Sequence, residues 1–320
     1  MIVVGIDEAG YGPLLGPLVV SAVGLELPDR LADESLWDML RASVSARVGV
    51  TQTRLMIADS KKLYRSGQGL DRLETASLAW LATCGQKVSG LTELLRYVCP
   101  QAVEAMAEYP WYWQTDVELP TAVSLGQVET HANALRRDLA GHRIRPLAAW
   151  VEVLPAGHYN RMVDRTRNKS TLLFGLATRL MQRATQEVGD SAEVRIVADR
   201  QGGRSRYARP LMLAFAGRSL AIEDESPERS AYRLTQGRSC WRVAFLKGGE
   251  QQHLPIALAS IVSKYIRELF MGLLNRYWQA KQPGLSPTEG YYTDGKRFLR
   301  DLDGTLRAAR VDRRLLVRSR

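Results

Sequence analysis

Short apolar runs and helical apolar spacings alternate along most of this chain. The runs are rich in β-branched residues, end at polar or glycine-containing turns and therefore predict strands. They cover residues 3–7, 18–25, 149–154, 194–199, 219–224 and 240–246. The first two runs flank the turn-rich Gly10-Tyr11-Gly12-Pro13 and predict an antiparallel pair.

Apolar residues spaced three and four apart predict helices in the intervening segments. These helices cover residues 33–48, 70–81, 91–107, 124–139, 170–188, 207–215, 255–281 and 296–310. Pro255 begins the longest of them, in the first turn, where a missing N–H leaves no hydrogen bond unmade. Strands that alternate with helices predict an α/β fold.

Residues 66–150 have a different pattern, because several amphipathic helical pieces surround one aromatic group and the strand-like runs stop. We predict an inserted helical subdomain there. The aromatic group contains Trp111, Tyr112 and Trp113. Such rings bury a large apolar area, so a small core is the more common interpretation, and stacking on nucleic-acid bases is the alternative.

The composition is that of a folded globular chain, with 45% hydrophobic and 24% charged residues among 320. No apolar run reaches the length of a membrane span, and Asp7 and Glu8 interrupt the first run too early for a signal peptide. The three cysteines show no metal-type spacing, which favours a reducing compartment. We therefore expect a cytoplasmic protein that does not enter a membrane.

The charge balance favours a polyanionic partner. Lys and Arg number 44 against 34 Asp and Glu, which gives a net charge of +10. Neutralising phosphates releases condensed counterions, so such an excess suits nucleic acid. A merely basic soluble protein is the equally good alternative from charge alone.

Carboxylates stand at the ends of two predicted strands. Asp7 and Glu8 precede a glycine-rich turn, and Asp199 precedes Gln201-Gly202-Gly203. An isolated acidic pair is more often a solvated strand end, but neighbouring strands of one sheet would gather these acids at one edge. Clustered carboxylates suit Mg²⁺ or Mn²⁺. Two such ions about 3.5–4 Å apart could activate water and stabilise a leaving oxygen in phosphodiester cleavage.

Three segments together resemble the type 2 ribonuclease H family. They occur in the family's order: Gly5-Ile6-Asp7-Glu8-Ala9-Gly10-Tyr11-Gly12-Pro13, then Asp59-Ser60-Lys61-Lys62-Leu63, then Ala259-Ser260-Ile261. The resemblance implies a ribonuclease H-like fold, with a mixed β-sheet flanked by helices. It also implies a catalytic domain of residues 1–65 and 151–285 and a C-terminal helical, basic segment, 286–320, that grips the substrate. The helical segment 66–150 has no counterpart in the family.

The resemblance also implies four metal-binding, catalytic carboxylates. Asp7, Glu8 and Asp199 match the first three directly. The family's fourth acid is an Asp ten residues before the Ser of Ala-Ser-Ile, and here that position is Glu250. Glu268 is the fallback candidate, although a solvated helix acid is the more common interpretation of such a residue.

The expected substrate contacts follow from the same resemblance. The family's Gly-Arg-Gly turn contacts the ribonucleotide 2′-hydroxyl, and here Gly10-Tyr11-Gly12 lacks the guanidinium. Lys61, Lys62 and Lys264 are expected to contact phosphates. Tyr291 matches the tyrosine that stacks on a sugar beside the junction. Solvated lysines and a packed tyrosine are the ordinary alternatives for these positions.

The sequence thus predicts an endoribonuclease that hydrolyses the RNA strand, or embedded ribonucleotides, of RNA/DNA duplexes with two Mg²⁺ or Mn²⁺ ions. The products would carry 5′-phosphate and 3′-hydroxyl ends. One alternative is a non-catalytic nucleic-acid-binding relative, and another is a nuclease of the same fold that acts on a different structured nucleic acid. No protein partner is evident. Arginines of the last segment, including Arg318 and Arg320, are expected either to add non-specific affinity or to be solvated.

Overall fold

The computed structural model describes residues 1–47, 53–64, 69–188 and 193–319. The strands are β1 Ile2–Ala9, β2 Leu18–Glu26, β3 Val44–Ser45, β4 Leu55–Met56, β5 Arg145–Leu154, β6 Glu193–Asp199, β7 Ser219–Glu225, β8 Arg229–Gln236 and β9 Ser239–Leu246. The helices up to residue 141 are α1 Leu36–Met39, α2 Ser60–Leu63, α3 Asp71–Thr83, α4 Leu91–Val98, α5 Pro100–Met106 and α6 Leu125–Gly141. The later helices are α7 Ala156–Thr166, α8 Lys169–Val188, α9 Ala208–Ala214, α10 Leu254–Lys281, α11 Tyr292–Asp301, α12 Asp303–Ala308 and α13 Arg313–Leu316.

Seven of the strands form one mixed sheet in the order β5-β2-β1-β6-β9-β8-β7. Strands β1, β6 and β9 are parallel neighbours. The other neighbours pair antiparallel, including the predicted β1–β2 pair. The expectation of a mixed sheet flanked by helices is therefore confirmed.

Two helices sandwich the middle of this sheet. The apolar face of α8 packs on β1, β2 and β5, and Leu173, Leu176 and Leu180 are fully buried there. Helix α10 packs on the opposite face against β1 and β2. A Cβ atom at Gly5 would lie 2.2 Å from the carbonyl carbon of Pro255, so only glycine permits this close approach.

The structure corrects three of the predicted helices. The predicted helix 33–48 is wrong, because only α1 is helical there and the chain then turns into β3, which pairs with β4; Val48 lies outside the described residues. The segments 91–107 and 296–310 each contain two helices rather than one. Pro100 explains the first break, since it lacks the N–H that would continue α4 and instead begins α5.

Strand β8 was not predicted from the sequence. Its Ser230, Tyr232 and Leu234 are buried and its Arg229 and Arg233 are exposed, but the buried Ala231 interrupts the alternation that marks a half-buried strand.

The helices between residues 71 and 141 share the main hydrophobic core. Glu74 of α3 is fully buried, and its carboxylate accepts hydrogen bonds from Ala122 N at 2.6 Å and from the Tyr265 hydroxyl of α10 at 2.9 Å. Trp111 and Tyr112 are buried, as the packing interpretation predicts, whereas Trp113 is 55% exposed. The predicted boundary at 65/66 lies outside the described residues, and the division into domains stays a prediction.

The last described segment returns to the first turn of the chain. Helices α11 and α12 lead into α13, after which Val317 pairs with Leu15 in an isolated antiparallel bridge. Arg318 is buried, so the expectation that it is a solvated or substrate-binding arginine is wrong; Arg320 lies outside the described residues. Among the helices in the described ranges, none is long and apolar enough to cross a membrane.

Candidate active site

The carboxyl ends of the three parallel strands meet at one edge of the sheet. The β1–β6 register ends at Ile6↔Ala198, immediately before Asp7 and Asp199. Strand β9 leads into a 3₁₀ turn, Gly249–Gln251, that carries Glu250. This edge forms a cleft of about 320 Å³, lined by Asp7, Glu8, Ala9, Gly10, Tyr11, Ser60, Lys61, Tyr64, Asp199, Glu250, Ser260, Lys264, Glu289 and Tyr291.

Asp7 and Glu8 reach the cleft from consecutive positions of one strand. Strand β1 continues to Ala9, so it does not end between them, although side chains normally alternate between the faces of a sheet. The Glu8 N–H donates to Asp7 Oδ1 at 2.7 Å, which orients the Asp7 carboxylate. Asp7 is buried and Glu8 is partly exposed to the cleft.

Asp199 and Glu250 are held by backbone and side-chain donors. Gly249 N donates to Asp199 Oδ1 at 2.7 Å. The Ser260 hydroxyl donates to Glu250 Oε2 at 3.3 Å, and Lys61 Nζ lies 3.4 Å from Glu250 Oε1. These contacts connect β6, the 3₁₀ turn, α2 and α10 at one point.

Burial disfavours charge on all four carboxylates, and repulsion by neighbouring carboxylates adds to this effect at Asp7, Glu8 and Glu250. Burial, then Asp199 and Glu250, raises the pKa of Asp7 from 3.8 to about 8. Burial, then Asp7 and Asp199, raises the pKa of Glu8 well above its usual value. Burial also raises the pKa values of Asp199 and Glu250, against the opposing effect of the Lys61 ammonium.

This donor set suits hard divalent cations. It offers carboxylate oxygens, the ligands that Mg²⁺ and Mn²⁺ prefer, and of the two lysines that line the cleft Lys61 contacts Glu250, whereas Lys264 is paired with Glu268. Across the described ranges, no group of three or more His, Cys, Asp or Glu side chains already stands in a metal-binding arrangement. The four carboxylates therefore have the chemistry of such a site, although their side chains are not arranged around a single metal position.

Glu268 does not belong to this carboxylate group. It is buried, so its interpretation as a solvated helix acid is wrong. Its Oε1 lies 2.9 Å from both Lys264 Nζ and Arg267 Nη1, and the Tyr64 hydroxyl donates to its Oε2 at 3.2 Å. Glu268 is thus the counter-ion of two cations, one of which, Arg267, is itself buried.

Some of the predicted substrate-binding residues line the cleft and others do not. Gly10, Tyr11, Lys61, Lys264 and Tyr291 line it, and Tyr291 is 47% exposed. Lys62 is exposed and is not among the lining residues, and no neighbour lies within 4 Å of the Cβ position of Gly12. Lys264 is engaged by Glu268, and its ammonium lies 4.9 Å from the ring centre of Tyr64.

Five lining residues were not among the predicted site residues: Ala9, Ser60, Tyr64, Ser260 and Glu289. Ser60 and Ser260 belong to the two motifs on which the resemblance rests, and their hydroxyl oxygens lie 3.0 Å apart. Their presence in these motifs could have identified both serines from the sequence. Glu289 directly precedes the Gly290-Tyr291 pair, but no motif in the sequence identifies it as a site residue.

No family model matches this chain. Among curated proteins, the ribonuclease HII of Gluconobacter oxydans (strain 621H) is 35% identical over 85 residues, which are 25% of this chain and 41% of that protein. The match therefore spans less than half the length of that relative.

Solved structures with a similar fold include a chain of the PCNA:RNase HII complex from Archaeoglobus fulgidus. It is 15% identical with a TM-score of 0.45, over 100% of this chain and 95% of that one. Bst-RNase HIII in complex with Mn²⁺ is 17% identical with a TM-score of 0.43, over 99% and 66%. The ribonuclease H2 from Pyrococcus horikoshii OT3 is 13% identical with a TM-score of 0.42, over 99% and 92%.

Proposed function

We infer that this chain, a divergent member of the type 2 ribonuclease H family, is a metal-dependent endonuclease that cuts RNA strands or embedded ribonucleotides in RNA/DNA duplexes. The observation that carries the proposal is the group of four carboxylates at the ends of the parallel strands. Their charges repel one another in a partly desolvated cleft, and such a group is costly to keep unless a cation binds it.

Each carboxylate would take part in holding two divalent ions, Mg²⁺ or Mn²⁺. When bound, such ions lower the pKa of a water nucleophile and neutralise the leaving oxygen. Asp7 would be shared by the two ions, because it follows Ile6 in β1 as Asp199 follows Ala198 in β6 and it adjoins Glu8 in the chain. Ser260 and Lys61 would keep Glu250 oriented, and hydrolysis would leave 5′-phosphate and 3′-hydroxyl ends.

The protein groups around the carboxylates suit a nucleic-acid strand. Lys61 has an ammonium at the cleft whose pKa Glu250 and Asp59 raise, against the effect of burial, so it stays charged beside a phosphate. Tyr291 also lines the cleft and is exposed, so its ring could stack on a sugar. The turn at Gly10 and Tyr11 would contact the 2′-hydroxyl, the group that distinguishes RNA from DNA.

The test is cleavage of labelled DNA duplexes that contain one ribonucleotide, four ribonucleotides or none, in Mg²⁺ and separately in Mn²⁺. We expect cutting only of the strands that contain ribonucleotides. Asp199→Asn should abolish it, because the loss of one ligand charge removes much of the electrostatic stabilisation of the transition state.

A matched control separates the cleft from a general loss of charge. Asp224→Asn changes an aspartate of the far edge strand β7 and should leave the cutting unchanged. If Asp199→Asn retained metal-dependent cutting, the assignment of the cleft would be wrong. If the unmodified chain bound these duplexes but cut none in either metal, the result would favour a non-catalytic nucleic-acid-binding relative.

A further inference from the structure

Arg318 occupies a position that a solvated tail arginine would not take. The segment that carries it is fixed by the buried Asn160 of α7, whose side-chain amide donates to the carbonyl oxygens of Arg314 and Val317 at 2.8 Å. Asn160 Oδ1 also accepts from Ser319 N at 2.6 Å. The Arg318 N–H donates to Leu14 O at 3.0 Å, so the backbone on both sides of the arginine is anchored.

The Arg318 guanidinium lies buried behind the turn at Gly10. It is 3% exposed, and its Nη1 donates to Gly10 O at 2.6 Å. Its carbon lies 5.0 Å from the ring centre of Tyr159. Its Nε and Nη2 have no hydrogen-bond partner among the residues that the structure describes.

The charge on Arg318 is expensive to bury. Burial, and then the guanidinium of Arg267, lowers its pKa well below the usual range. An unpaired charge in a protein interior costs roughly several kcal/mol of stability. An apolar residue of similar length would fill this space at a lower cost in free energy. The single hydrogen bond to Gly10 O is the contact that distinguishes arginine from such a residue.

That hydrogen bond determines the direction of the next N–H group. The Gly10–Tyr11 peptide bond is trans, and in a trans peptide the carbonyl and the N–H point in opposite directions. Gly10 O points to Arg318, which does not line the cleft, whereas Gly10 and Tyr11 do line it. The Tyr11 N–H, which donates to no acceptor in the described part of the chain, therefore points away from Arg318 and towards the cleft.

We propose that Arg318 is a positioning residue that holds the Gly10–Tyr11 peptide with its N–H directed at an oxygen of the ribonucleotide in the bound substrate. The proposal rests on the function proposed above. Arg267 supports the same turn, because a Cβ atom at Gly10 would lie 2.7 Å from Arg267 Nε and 2.6 Å from Pro17 O. Gly10 also has a φ of +85°, a conformation that favours glycine, and because glycine itself leaves the adjoining peptide free to rotate, the hydrogen bond from Arg318 is what restricts that rotation.

The test compares binding rather than cutting. In an Asp199→Asn background with Mn²⁺, we would measure the affinity for a duplex with one ribonucleotide and for the same all-DNA duplex. Arg318→Met should reduce the ratio of the two affinities about three- to tenfold, the effect of one hydrogen bond, while all-DNA binding stays unchanged. Arg318→Lys keeps a donor and should restore most of the ratio, and Arg238→Met, at an exposed arginine of the turn between β8 and β9, should leave it unchanged.

An unchanged ratio in a folded Arg318→Met protein would overturn the proposal. If that variant does not fold, the unmodified sequence still gives an answer, because its 12 tyrosines can be labelled with ¹⁵N and the Tyr11 signal assigned by its loss in Tyr11→Phe. The Tyr11 amide should shift with the ribonucleotide-containing duplex and not with the all-DNA duplex, and no difference would refute the proposal. Failure of the proposed function is a separate result, namely no cutting by the unmodified chain.

Discussion

Replacing Asp7 by Asn should stabilise the metal-free protein near neutral pH, although it removes a proposed metal ligand. Asn keeps the side-chain oxygen that accepts the Glu8 N–H at 2.7 Å. It removes a carboxyl group that, with its pKa raised to about 8, must take up a proton when the chain folds near neutral pH. A residue retained for metal binding rather than for folding should show this sign, because its charge is a cost until a cation arrives.

The magnitude follows from the pKa of Asp7, which burial and the neighbouring carboxylates raise from 3.8 to about 8. Between these values the folded chain binds more protons at Asp7 than the unfolded chain does. The free energy of unfolding therefore falls as the pH rises, by at most about 1.4 kcal/mol per pH unit for this one group. From about pH 5 to about pH 7 the loss should approach, but not exceed, about 3 kcal/mol.

The assay is urea unfolding in EDTA at several pH values, with Asp224→Asn as the matched control. The unmodified chain and Asp224→Asn should lose stability as the pH rises through this window, and Asp7→Asn should lose less and be the most stable of the three near pH 7. Added Mn²⁺ should reverse the order, since it stabilises the chains that keep the ligand. Equal pH slopes for Asp7→Asn and the unmodified chain would refute this reasoning.

Three further substitutions test the interior around the cleft by the free energy of unfolding. Glu268→Ala should cost about 3–5 kcal/mol, because it leaves the buried Arg267 charge unpaired; a cost below about 1 kcal/mol would contradict the counter-ion role. Gly5→Ala should prevent stable folding, since its Cβ would lie 2.2 Å from a backbone carbon of α10, whereas Gly12→Ala meets no atom within 4 Å and should unfold like the original chain. Glu74→Ala removes the acceptor of several buried donors and should cost more than about 2 kcal/mol, a smaller loss being evidence against its anchoring role.

The sheet and the carboxylates at its edge could be predicted from the sequence for one physical reason. Apolar runs mark buried strands whatever their neighbours are, and the acids that follow Ile6 and Ala198 mark the points where those apolar runs end. Once those strands are parallel neighbours, Asp7 and Asp199 must lie close together. The prediction from apolar spacing fails for residues 33–48, because the pairing of β3 with β4 overrides their helical spacing.

The environment of Glu268 could not be predicted, because it depends on contacts made far along the chain. Its partners Lys264 and Arg267 lie on the same helix. A solvated glutamate on such a helix could have cations at the same sequence spacings, so the spacing does not reveal burial. What buries the group is Tyr64, which donates to it across 204 positions of sequence, together with the loop before Tyr291 that the Arg267 guanidinium contacts. Helical periodicity contains no information about either contact.

Charged groups of both signs surround the turn that carries tyrosine rather than arginine at position 11. The guanidinium groups of Arg267 and Arg318 lie behind Gly10, and their repulsion contributes to the lowered pKa of Arg318. Arg204 acts on Tyr11 itself, since its charge opposes the rise in the tyrosine pKa that burial and Glu8 cause. Tyrosine at position 11 adds no charge to these groups, and its backbone N–H can bind an oxygen as that of an arginine would. A turn built in this way would recognise its substrate through the peptide that Arg318 holds rather than through the side chain at position 11.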